Sequence, residues 1–532
     1  MGEIDESTPV IVGVGQVARR LGEADAIVGG PVALAAAAAE RALDDAGPGV
    51  AEALTAAIDV VAVVRQFEDS GLEEPTPLGR ADNVPRAVAR RVGADPRRAI
   101  LEVGGGQSPH HLAVEFAGEI AAGRAQAVLL AGAEALSSAR HWLTRPREER
   151  PDWSDQVGGT IEDRGPGLTD MTSPQQAALG LSHAPAAYAL FENARRASLG
   201  VTRDEHAQRM GELFAPFTEV AAANPLAAVR QVRSADELVT VTDRNRMIAE
   251  PYPRFLVARD QVDQGAAVVL TSLGLAREVG IEESRLVFCH GHVDVAERPL
   301  MEREDLATSR AAEIAAAAVL EEASVTAGDL DLLDIYSCFP IAVSVVADAL
   351  GLAADDPRGF TVTGGLPFFG GPGNNYAMHS LAEMVARLRE RPGARGLVTG
   401  NGGILSSQSM GIWSTTPAPW QPGRDADLAA EVASWPAPTV TDAPRGEAVI
   451  ETWTVLHARD GARRGIVVGR LPSGERFVAA TADEEPMWAL LAADQPVGQA
   501  VVVGEDGLVH APTSAAPPSL VEEERSDVSK PW

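Results

Sequence analysis

A run of strand, glycine loop and helix occurs twice in this chain, and the two copies keep the same neighbours. The first is LEVGGGQSPHHLAVEFAGEI (101–120) and the second is FTVTGGLPFFGGPGNNYAMHSLAEMVARLRE (360–390). IDVVAVV (58–64) is echoed by LDLLDIY (330–336), and AQAVLLAGAE (125–134) by ARGLVTGNGG (394–403). The spacing between partners holds near ~270 residues, a regularity that unrelated domains lack. Apolar strand-like runs alternate with alanine-rich helices such as PVALAAAAAERALDDAG (31–47) and NVPRAVARRVG (83–93). Each copy therefore reads as an α/β unit, and the fold class as α/β with two similar halves.

The halves are not contiguous. The first occupies 8–138, and HWLTRPREERPDWSDQVGGTIEDRGPGL then leaves the core as a Pro-, Gly- and charge-rich excursion. It leads into the helices APAAYALFENARRASLG and RDEHAQRMGELFAPFTEVAAAN, so 139–258 reads as an inserted lid subdomain. Residues 259–418 complete the first half and supply the second, and 419–445 form a Trp- and Pro-rich linker. From 446 to 515 short runs alternate at period two between turn signals, the pattern of a small all-β, barrel-like domain of OB-like kind. The last stretch, 516–532, has disordered composition.

A net charge of −30 removes nucleic acid from the partners to be expected, because phosphate binding needs clustered Lys and Arg. Two cysteines, Cys289 and Cys338, build no disulfide framework. MGEIDESTPV lacks the basic and apolar regions of a signal peptide, and no apolar run nears the ~20 residues of a membrane span. A cytoplasmic protein without membrane insertion is expected.

In the first glycine loop, Ser108-Pro109 reads as N-cap and first helical residue. The helix start exposes unpaired N–H groups and positive potential, which suits an oxyanion or a reactive side chain. Gly104, Gly105, Gly106 and Gln107 stand there instead, with His110 and His111 just beyond. VIVGVGQVARR holds half of a dinucleotide fingerprint at Gly13, Gly15 and Ala18, but RRLGEADAIVGG is not the apolar helix that a pyrophosphate requires. CHGH (289–292) alternates across a strand without partners at metal spacing, so no metal is expected. Tyrosine occurs only as Tyr188, Tyr252, Tyr336 and Tyr376, and a phenol can serve as donor or acid–base group.

The duplicated strand–loop–helix, the long insertion and the loop order resemble the thiolase superfamily over residues 8–418. FENARRASLGVTRDEHAQRM, QGAAVVLTS, DLDLLDIYSCFP and GLVTGNGG carry the likeness. The GNGG and GGP loops and the added β domain are most similar to the type-1 thiolase-like proteins of actinobacteria. That resemblance implies a thiolase fold and an acyl-CoA ligand of lipid metabolism. It also implies a cysteine nucleophile, a G-H-P histidine, a second cysteine in C-x-G, and an Asn or His near the oxyanion. Position by position these become Gly106, Gly371, Gly400 and Tyr336, while Cys338 falls where some members carry a cysteine that does not attack.

Without a thiolate the covalent route is closed. Main-chain donors survive such losses, which makes Gly106, Gln107, Gly371 and Gly402 the candidate oxyanion and ligand-binding residues. Tyr336, Tyr376 and Asn401 are the candidate catalytic ones. The expectation is a thiolase-like protein of the acetyl-CoA acetyltransferase family that binds coenzyme A or acyl-CoA and requires no cofactor. Its thiolase activity is expected to be weak or absent. Two alternatives stand beside it: a retro-aldol lyase of β-hydroxyacyl-CoA using the tyrosines, and a non-catalytic scaffold or carrier docking a protein partner through the β domain. Monomer and homodimer are both open.

Overall fold

The computed structural model of the chain describes residues 4–20, 29–70, 77–167 and 171–512. The segment 516–532, expected to be a disordered tail, lies outside the described residues, as does 513–515 at the end of the expected barrel.

Ten strands form one sheet. Their order is Leu332–Asp334, Arg395–Gly402, Ser407–Ser414, Val287–Ala296, Pro9–Arg19, Asp263–Ser272, Ala127–Ala135, Ile58–Val63, Arg98–Leu101 and Glu162–Asp163. The first four belong to the second half and the next five to the first. They meet where Val10 and Ile11 pair with Phe288 and Val287. The echo seen in the sequence is an echo in register: Ile58–Val63 runs parallel to Ala127–Ala135 as Leu332–Asp334 runs parallel to Arg395–Gly402.

The echoing helices Ser108–Ala121 and Tyr376–Glu390 lie together in the middle. Leu112, Phe116 and Ile120 share one core with Met378, Leu381, Met384 and Leu388. Burial of each such large side chain stabilises by about 1.5–3 kcal/mol. Helices Pro31–Asp45 and Val84–Val92 cover the outer face of the first half, and Arg310–Glu322 and Pro340–Ala349 that of the second. The two half-sheets, joined into one, thus carry helices between them and on their outer faces. Gly13 and Gly15 let Pro31–Asp45 lie hard against the first strand, since a Cβ on either would overlap the carbonyls of Ala42 and Ala38. The half fingerprint is helix-on-strand packing.

The structure departs from the sequence reading at several points. FTVTGG is not a strand: the N–H groups of Val362 and Thr363 donate to the Asp334 carboxylate at 2.8 and 3.3 Å, which replaces the ladder. The segment 419–445 contains the helix Asp425–Ser434, whose Leu428 and Val432 enter the second-half core. The edge strand Arg98–Leu101 is covered by Glu162–Asp163 of the same chain, with Arg98 bidentate to Glu162 and Arg65 paired to Asp163. Covering of this kind removes an open ladder that another chain would pair with.

The C-terminal strands Gly446–His457, Arg463–Arg470, Arg476–Ala480, Ala500–Val503 and Val509–His510 pair in the order third, second, first, fourth, fifth. A parallel bridge from Thr481 to Val509 closes the ring, and helix Glu485–Ala492 lies between the third and fourth strands. This is the Greek-key closure expected of a five-stranded barrel. The barrel is not free-standing, because lid strand Met247–Ala249 pairs with its first strand at Leu456. Arg476, fully buried, pairs with Glu451 and donates to the carbonyls of Met301, Arg303 and Glu304. Among the described residues no helix is long and apolar enough to cross a membrane.

Arg476→Met leaves three carbonyls without their donor and Glu451 with Arg470 alone, so a loss of roughly 3 to 5 kcal/mol in urea unfolding is expected. An unchanged midpoint would remove Arg476 as the anchor between barrel and core.

Candidate active site

The first glycine loop turns at Gly104–Gln107, and the helix begins one residue earlier than the sequence suggests. Gln107 is the N-cap, Ser108 the first helical residue, and the Ser108 hydroxyl donates back to the Val103 carbonyl at 2.9 Å. The reason is geometric: Gln107 already has helical dihedrals (φ −78°, ψ −26°). Among the described residues the N–H groups of Gly106 and Gln107 meet no acceptor.

Tyr336, Gly400, Asn401 and Gly402 come to this turn from the second half. A Cβ on Gly106 would overlap the Tyr336 hydroxyl and the Asn401 carbonyl oxygen, and one on Gly402 would overlap the Gln107 side-chain oxygen. A Cβ on Gly400 would stand 2.9 Å from the Gln107 Cα. The space beside Gly106 is thus filled by a phenol. Asn401 Nδ2 donates to the Tyr188 hydroxyl at 2.8 Å and approaches Cys338 Sγ at 3.8 Å. Tyr188 in turn donates to the Gly403 carbonyl at 3.0 Å. Two buried oxygens, Gln107 Oε1 and Asn401 Oδ1, have no donor.

Two expected members stand apart. The Gly371 N–H donates to the Arg259 carbonyl at 2.8 Å, and its neighbours are Leu366, Arg259 and Ala258, so it offers the turn at Gly106 no donor. Tyr376 lies behind Tyr336, ring edge to face at 5.5 Å. Its hydroxyl is held by Thr363 Oγ1 at 2.6 Å and Asp334 Oδ1 at 3.2 Å. Asp334 also accepts from Ser380, Thr361 and Val362, which makes Tyr376 part of the clamp on FTVTGG.

Burial sets the protonation here. It pushes the Cys338 thiol up to about 12 and the Tyr336 phenol well above its ordinary value, so both keep their protons at neutral pH. No thiolate and no phenolate stands at this turn. Tyr188, Gln107 Oε1 and Cys338 make the site with the residues expected from sequence. Of these Tyr188 is the one the sequence reading left out, and the scarcity of tyrosine was the only signal for it.

His110 and His111 serve the joint between halves. His110 is fully buried, its Nδ1 2.8 Å from Ser409 Oγ and its Nε2 3.3 Å from the Trp413 indole N–H; burial lowers it to about 4. His111 Nδ1 lies 2.6 Å from Asp294. Burial alone would lower His111, but the Asp294 hydrogen bond and the charges of Asp294, Glu102 and Glu115 lift it to about 9. Cys289, His290 and His292 bond to the Gly291, Thr416 and Gln421 carbonyls, and among the described residues no His, Cys, Asp and Glu gather at metal spacing.

Gly106→Cys is expected to overpack the turn and cost about 1–3 kcal/mol, without restoring activity. Adding Tyr336→Ala should recover part of that loss, a coupling of 0.5 kcal/mol or more in a double-mutant cycle being on the order expected of touching residues. Strict additivity would contradict the contact. The unfolded chain protonates His110 near 6.5 and the folded chain near 4. The His110 contribution is therefore whole above pH 6.5 and is lost as pH falls toward 4, on the order of 3 kcal/mol. His110→Gln should flatten the drop in urea midpoint between pH 7 and 4.5; an equal drop in both proteins would refute the assignment.

Residues 427–508 match the family described as the thiolase-like protein type 1 additional C-terminal domain. Over its length the chain is similar to a monomeric SCP2-thiolase-like protein type 1 from Mycobacterium smegmatis, with 42% identity, 95% of this chain and 99% of that one covered, and a TM-score of 0.81. The Ltp2-ChsH2(DUF35) aldolase shares the fold at 17% identity, covering 77% of this chain and 98% of that one with a TM-score of 0.55. The dimeric peroxisomal thiolase of Saccharomyces cerevisiae does so at 15%, with 77% and 98% covered and a TM-score of 0.54. No curated protein matches the chain. The chain belongs to the thiolase-like protein type 1 family, with a thiolase fold followed by that family's additional C-terminal domain.

Proposed function

We propose that the chain binds coenzyme A or an acyl-CoA non-covalently at the Gly106–Gln107 turn and performs no thiolase turnover. One observation carries the reading: the Gly106 and Gln107 N–H groups, which meet no acceptor among the described residues, stand at the helix start beside the Tyr336 phenol. A thioester carbonyl meets donors there, because main-chain N–H groups need no side chain to stabilise an oxygen. It meets no attacker, since Tyr336 and Cys338 are both protonated at neutral pH. No cofactor enters this scheme.

The retro-aldol alternative has less support. Proton abstraction asks for a phenol whose pKa is brought down; Tyr336 is pushed up and Tyr376 is committed to Asp334 and Thr363. Its one support is likeness of fold to the aldolase. The scaffold alternative, with a protein partner on the β domain, draws only on the pairing of the barrel with the lid. The covered edge strand favours a monomer, and the proposal takes the chain to act in the cytoplasm, in acyl metabolism.

Acetyl-CoA at a hundredfold excess over its Kd should stabilise the fold by about 2.7 kcal/mol, read as a rise in melting temperature. Gln107→Ala should reduce that rise, and intact-mass spectrometry should find no acyl adduct. A melting temperature indifferent to acetyl-CoA and CoA would end the proposal, and a stable acyl adduct would end its non-covalent part.

A further inference from the structure

Where the lid meets the barrel, a cleft of about 430 Å³ opens, lined in part by Val241, Arg246, Met247, His457 and Arg459. We propose that this cleft binds a phosphate-bearing small anion through Arg246 and Arg459. It shares no residue with the Gly106 turn, so it stands or falls independently of the acyl-ligand reading.

The walls are fixed to each other. Leu456 of the first barrel strand pairs with Ala249 of the lid, and the Glu250 N–H donates to the Val455 carbonyl at 3.0 Å. The turn between the first and second barrel strands carries Arg459 to the rim. In five-stranded barrels of this order, that turn borders the usual binding face.

The charges of the cleft are unspent. Arg246 Nη1 donates to the Met247 and His457 carbonyls at 3.2 and 3.0 Å, which fixes the guanidinium plane without neutralising it. Among the described residues neither Arg246 nor Arg459 has a carboxylate partner. The lining carboxylate, Glu250, is answered from within by Arg203 and by His457 Nε2 at 3.2 Å. The neighbouring Asp460 turns back to accept the Ala462 N–H at 3.0 Å.

A pre-positioned guanidinium with free N–H edges matches the paired oxygens of a phosphate better than a mobile ammonium would. Val241, more than half exposed, and Met247 supply an apolar wall for the carbon portion of such a ligand. The volume lies in the range that small-molecule sites occupy.

The test is isothermal titration calorimetry of the full chain with pyrophosphate and, separately, with inorganic phosphate, at low salt and pH 7. Saturable binding of pyrophosphate is expected, weakened about tenfold in Arg246→Gln and in Arg459→Gln. Arg459→Gln should melt as the parent does, since Arg459 closes no ion pair among the described residues; Arg246→Gln gives up two carbonyl hydrogen bonds, so its binding is read at a temperature where its fold is intact. Arg140→Gln, at an exposed arginine paired with Asp260 elsewhere, should bind as the parent does. Inorganic phosphate should compete for the same site. Absence of saturable binding, binding that survives both cleft substitutions, or an equal loss in Arg140→Gln would each overturn the proposal.

Discussion

The packing of Ser108–Ala121 against Tyr376–Glu390 between two half-sheets is the constraint from which the rest of the molecule follows. Both helices are held on both sides, and their shared core of Leu112, Phe116, Met378, Leu381 and Met384 is fully buried. Their starts, and the strand ends of Arg395–Gly402 beside them, therefore have fixed places. Backbone geometry at those places does not depend on which side chains sit in the loops. That is why Gly106, Tyr336, Asn401 and Gly402, from different halves, come together at one turn.

The turn is filled by side-chain bulk and hydrogen bonding. The Tyr336 phenol takes the volume over Gly106, and the Gln107 side chain takes that beside Gly402. Asn401 is tied to Tyr188, which brings a residue of the inserted lid into contact with the core strand ends. Away from the turn, His110 reaches Ser409 and His111 reaches Asp294, so one helix start of the first half is pinned twice to second-half strands. Polar groups that would be costly to bury alone are here paired across the joint. The same device, a buried arginine among carbonyls, fastens the barrel at Arg476.

Much of this was legible in the sequence. The duplication announced two α/β halves, because an echo of strand, loop and helix at constant spacing records a repeated unit. Period-two alternation after residue 446 announced the barrel. Gly106, Gln107, Tyr336, Gly400, Asn401 and Gly402, named as candidates from the loops of the repeat, lie at one turn. Gly371 and Tyr376 were placed with them and belong elsewhere, since a loop's sequence does not say which way its N–H groups point or which hydroxyl a neighbouring carboxylate will claim. Asp334 is the case in point: its carboxylate captures Val362, Thr363 and Tyr376, and turns an expected strand into an irregular segment. Tyr188, noted only for the scarcity of tyrosine, could not be assigned to this turn for a different reason, being more than two hundred residues from Asn401 along the chain. The pairing of the lid strand with the barrel is equally non-local.

The central claim is that the main-chain donors of the first glycine turn outlive the lost thiol as a ligand-binding feature. The most direct measurement follows the ¹⁵N amide resonances of Gly106 and Gln107 in deuterated protein as acetyl-CoA is added. The account predicts that both shift and saturate together. If they stay still while acetyl-CoA perturbs amides elsewhere, the turn is a filled remnant and the account is wrong.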